Sequence, residues 1–62
     1  MNSPFVNEIM PKVREWLALP LDQAKASIVS YMKDEGIYEK LDFELVDVSE
    51  SAEEAIGLVF GI

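Results

Sequence analysis

Cysteine and histidine are both absent from the 62 residues. Without them no disulfide can brace the chain, and zinc or another transition metal lacks its usual ligands. Any bound metal would have to be a hard cation held by oxygen. Bases are scarce, five against twelve acids. The three glycines, Gly36, Gly57 and Gly61, stand apart, so no glycine-rich phosphate loop can form. The longest apolar run, Ala55 to Ile62, is far too short to span a bilayer, and no basic-then-apolar leader opens the chain. A cytoplasmic protein is expected, with no cofactor and no membrane partner.

Catalytic groups are equally sparse. With no histidine base and no cysteine nucleophile, the serines Ser3, Ser27, Ser30, Ser49 and Ser51 would have to act alone, and none lies in a nucleophile motif. A carboxylate pair needs a pocket that separates the two pKa values, and so short a chain has little volume to build one. A calcium loop needs a glycine at its sixth position and a glutamate at its twelfth. Counting from Asp34 or Asp42 gives neither the glycine nor the ligand spacing. Asp47, Val48, Ser49 and Glu50 also fail to reproduce the Asp-Ser-Leu motif on which acyl carrier proteins hold their cofactor. The expectation is a protein that is not an enzyme.

Apolar and acidic residues are what the chain has in surplus. Half the residues are apolar, yet a chain this short buries only about 60% of its unfolded surface. Excess apolar surface of this kind is commonly covered by a partner or a second copy, so a homo-oligomer is one expectation. The net charge of −7 is lopsided. Residues 1 to 33 carry three acids and four bases, whereas residues 34 to 62 carry nine acids against Lys40 alone. Within Asp42 to Glu54, six carboxylates fall in thirteen residues. Such a field repels phosphates, so direct nucleic-acid binding is not expected, and it attracts a basic protein surface.

Two helices are legible in the front half. Phe5, Val6, Ile9, Met10, Val13, Trp16 and Leu17 recur at steps of three and four, which predicts a helix over about 4–18. Ser3 and Pro4 suit its start, and Pro11 should either kink it or begin it. Leu21, Ala24, Ile28, and Tyr31 or Met32 predict a second helix over about 21–35, closed by Gly36 with Ile37 beyond. The short connection at Pro20 predicts an antiparallel helical hairpin with Trp16 and Met32 in its core.

The back half reads differently. Residues 42–48, DFELVDV, alternate imperfectly, with Phe43 and Leu45 on one strand face and Glu44, Val46 and Val48 on the other. A strand is expected there. Ser51 and Glu54 have capping-box spacing, predicting a short helix over about 50–56. The tail is expected to form a second strand over about 58–62, which would pair with the first. The result is an α+β domain, a helical hairpin on a β-hairpin-like element. The alternative is an all-α three-helix domain.

Function follows from the charge. On a strand, Asp42 and Glu44 would share a face about 6.6 Å apart. Glu50, Glu53 and Glu54 would lie about 5–6 Å apart on a helix. Together with Glu39 and Asp47 they could present a ladder of negative charge to lysines and arginines, with Tyr38 at its rim. The expected function is docking of this acidic half on a basic partner, including inhibition of a nucleic-acid-binding enzyme or regulator by charge mimicry. A small inhibitor encoded by a phage or mobile element would suit these features. The competing expectation is a structural or assembly protein that self-associates through apolar surface, its acids serving only solubility.

Overall fold

A computed structural model describes the backbone of residues 4–62 and the side chains of residues 7–62. Four helices follow in order: α1 Pro4–Leu17, α2 Leu21–Glu35, α3 Lys40–Val48 and α4 Ala52–Phe60. Among the described residues there is no strand. The expected α+β fold is therefore wrong, and the fold is all-helical. The three-helix alternative has the right class but one helix too few. Ser3 as a cap, and the side chains of Phe5 and Val6, lie outside what the structure describes.

Helices α1 and α2 arise from the stripes that predict them. Ile9, Val13 and Trp16 are buried along α1, and Ala24, Ile28 and Met32 along α2. Pro11 lies inside α1, which continues through it to Leu17. Its missing N–H would have bonded the carbonyl of Asn7, an exposed residue whose oxygen water can reach. Helix α2 stops at Gly36, whose φ of 69° is left-handed and whose N–H donates to the Met32 carbonyl at 3.1 Å. Ile37 does not fold back on the helix, being 72% exposed.

Residues 42–48 form a helix because the core reads them every three to four residues. Val46 is fully buried, Ser49 is buried beside it, and Asp42, Phe43 and Leu45 are half-buried. The alternation that suggested a strand put Val46 with exposed Glu44. Its imperfection was the helical signal. Both ends of α3 are tied by side chains. The Asp42 carboxylate accepts from the Glu39 N–H at 2.9 Å. At the other end Ser49 Oγ donates to the Leu45 carbonyl at 2.6 Å, and Lys25 Nζ donates to the Asp47 carbonyl at 2.7 Å. An acid near the positive end and an ammonium near the negative end both favour the helix dipole.

The tail is helical rather than a strand for a similar reason. Ser51 Oγ accepts from the Glu54 N–H at 3.1 Å and starts α4. Ala55 and Ile56 are buried, Val59 and Phe60 are half-buried, and Gly61 closes the helix in a left-handed conformation. The expected helix over 50–56 thus continues to Phe60, and there is no strand over 58–62. Gly57 sits in mid-helix at a cost of about 1 kcal/mol relative to alanine. Burial of the flanking apolar residues offsets it.

One core joins all four helices. Ile9, Val13, Trp16, Ile28, Met32, Val46, Ala55 and Ile56 form a continuous buried cluster. An aromatic group closes one side of it. Phe60 stacks on Trp16 with centroids 5.7 Å apart, and the rings of Tyr31 and Tyr38 meet Phe60 edge-on at 5.9 and 5.7 Å. The last turn of α4 is thereby held against α1, α2 and the segment leading into α3.

Candidate docking face

The eight residues expected to meet a partner divide by what the fold asks of them. Tyr38 is half-buried against Phe60, in the aromatic group. Asp42 is half-buried and accepts a hydrogen bond at the start of α3, while Glu54 Oε1 accepts from the Glu50 N–H at 3.3 Å at the start of α4. Glu39 flanks the first of these turns. Two of the acids are therefore engaged at helix starts. The pairing expected between Ser51 and Glu54 forms, but the glutamate reaches Glu50 rather than the cap residue itself.

Glu44, Asp47, Glu50 and Glu53 remain. All four are exposed, and their carboxylates enter no side-chain hydrogen bond among the described residues. Glu44 and Asp47 are three apart on α3. Glu50 and Glu53 have the same spacing across the start of α4, where they border Leu17, Leu19 and Leu21 rather than the α3 pair. The strand ladder pairing Asp42 with Glu44 does not exist, since a helix turns those residues to different faces.

Sequence reading missed the exposed apolar residues of α3 and α4. Leu41 is 64% exposed and Val48 68%. Leu45, half-buried, stands between them at helical spacing, so Leu41, Leu45 and Val48 make one stripe along the outside of α3. Ile37, also exposed, lies four residues before Leu41, outside the helix. On α4, Leu58 is also half exposed. The signal was present in the steps of four and three, but a strand assignment divides Leu45 from Val48.

Elsewhere the surface offers shallower chemistry. A groove of about 440 Å³ between α2 and α3 is lined by Val29, Phe43 and Val46, with Lys25, Lys33 and Asp47 around them. Another, of about 340 Å³, runs between α1 and α4 past Met10, Leu17 and Ile62, with Glu53 at its rim. No group of three or more acids among the described residues is arranged to hold a metal ion. None of the helices among them is long and apolar enough to cross a membrane.

The two tyrosines titrate abnormally. Burial pushes the Tyr31 phenol up to about 12, helped by its hydrogen bond to Glu35 Oε1 at 3.0 Å and by that carboxylate's charge. Tyr38 is raised as well, first by burial and then by Glu35 and Asp42. Both shifts keep the phenol neutral and come from packing beside acids. No protein-family model, curated protein or solved structure matches the chain.

Proposed function

We propose that this is a non-enzymatic interaction protein, acting in the cytoplasm, that docks the α3–α4 half on a basic surface of another protein. One observation carries the reading: four exposed carboxylates, Glu44, Asp47, Glu50 and Glu53, perform no capping duty in a half that holds a single base. Exposed like charges held on short helices cost stability through mutual repulsion, and a cationic partner relieves that cost. The same field raises the rate of encounter with a basic surface and disfavours acidic ones. Competition with nucleic acid for such a surface is the inhibitory form of this function.

The experiment is affinity capture from a lysate of the source cells. Wild type is compared with a variant carrying Glu44→Gln, Asp47→Asn, Glu50→Gln and Glu53→Gln, at low and high salt. Asp42 and Glu54 stay untouched because they help hold helix starts. A basic protein retained by wild type, and lost both in the variant and at high salt, supports docking. Retention indifferent to salt and to the four substitutions contradicts it.

A second reading is favoured by the α1–α4 groove, where exposed Leu17 and Ile62 flank half-buried Met10. Self-association there would make the acids a solubilising coat. Its mark is a dimer in solution that persists in high salt and is lost in Leu17→Ser.

A further inference from the structure

We infer that the partner presents a basic amphipathic helix, and that the Leu41, Leu45 and Val48 stripe of α3, with Leu58 of α4 beside it, receives the apolar face of that helix. This rests on the docking proposed above and adds what the docking recognises. Electrostatic attraction alone requires no exposed leucine or valine, yet the most acidic part of the chain carries Leu41 and Val48 nearly two-thirds exposed. Their placement is also directional. Val46 and Phe43 turn α3 toward α2, where they floor the groove beside Val29. The stripe therefore runs along another side of α3. On α4, Glu53 and Ile56 face Met10, Val13 and Leu17 of α1. Leu58 lies five residues after Glu53, roughly 140° around the helix, and so on the edge away from α1. Neither set lines the α2–α3 or the α1–α4 groove, so both lie on the solvent side of their helices.

Charge decides what covers this surface. In a two-fold dimer built on α3, the same patch meets itself. Antiparallel packing that brings Leu41 against the second copy's Val48 also brings Glu44 close to its own counterpart. Like charges placed together in a forming interface oppose it. A helix with leucines on one face and lysines or arginines flanking them fills the apolar stripe and neutralises Glu44, which is three residues from Leu41 and four from Val48 on the same side of α3. Helix-in-groove recognition uses anchors at this i, i+4, i+7 spacing.

The test uses two labelled peptides of identical leucine and lysine composition. In one the leucines share a helical face; in the other they are spread around the helix. Binding is followed by fluorescence anisotropy with wild type and with the double variant Leu41→Ser, Val48→Ser. Both positions are exposed, and a wild-type urea midpoint establishes that the variant folds. The amphipathic peptide should bind wild type about tenfold or more tightly than its isomer, the scale of a lost interface anchor. The double variant should reduce that ratio to near one and leave isomer binding unchanged.

Equal binding of the two peptides, unaffected by the double substitution, overturns the inference and leaves electrostatic docking standing. Failure of both peptides to bind at low salt overturns both. A free protein that is dimeric, and becomes monomeric in the double variant, assigns the stripe to a second copy and also overturns the inference.

Discussion

Among single residues, the contrast between Asp42 and Glu44 separates folding from docking. Asp42 accepts from the Glu39 N–H at the start of α3, whereas Glu44 is exposed and bonds nothing among the described residues. Asp42→Ala should therefore cost about 1 kcal/mol of stability, and Glu44→Gln should leave the urea midpoint near its original value. Equal losses would mean that Glu44 has a structural role not seen in its surroundings. Tyr31 gives a second test. Its phenol, ordinarily at 10.0, rises to about 12 on folding. The unfolded chain consequently loses this proton first, so the stability tied to it is whole below the unfolded value and falls as pH climbs through that interval. Glu35→Gln should bring tyrosinate absorbance to lower pH but not fully back, because burial is the larger cause and remains. An unchanged titration would exclude Glu35 as a contributor. The capping spacing of Ser51 and Glu54 was visible in the sequence. The Glu39–Asp42 turn was not, because Asp42 also opens a segment whose alternation fits a strand.

Elements differ in how plainly the sequence declares them. Helices α1 and α2 each show several turns of apolar residues at a 3.6-residue period, long enough for the period to be unambiguous. With nine residues each, α3 and α4 show little more than two turns. Over that length Phe43, Leu45 and Val48, or Ile56, Leu58 and Phe60, satisfy either period in part. Glycine biased the tail further toward a strand, since Gly57 is a poor helix former. Tertiary packing overrode the local preference: Ala55 and Ile56 join the core and Phe60 completes the aromatic group. Gly57 is exposed, and a Cβ there would meet only the Ile62 carbonyl oxygen, at 3.9 Å. Gly57→Ala is thus predicted to stabilise the fold by about 1 kcal/mol, read as a higher urea midpoint. A lower midpoint would show that α4 needs glycine for a reason other than helix propensity.

For the whole molecule, the radius of gyration of 10.9 Å is close to the roughly 10.6 Å of a compact chain of this length. Core and surface are thus both accounted for by one packed unit, with charge concentrated in the half that has the shorter helices. The acidic side of the candidate face was legible as a run of unpaired charge. Its apolar side was not, because exposure follows from which side of α3 meets α2, and no local pattern states that. The most direct measurement is amide chemical-shift mapping of the isotopically labelled protein during titration with the amphipathic leucine–lysine peptide. A docking face on α3–α4 predicts that the largest changes gather at Leu41, Glu44, Leu45, Val48 and Leu58 and shrink as salt is added. Changes centred on α1, or on the α2 side of the Lys25–Lys33 groove, would contradict it.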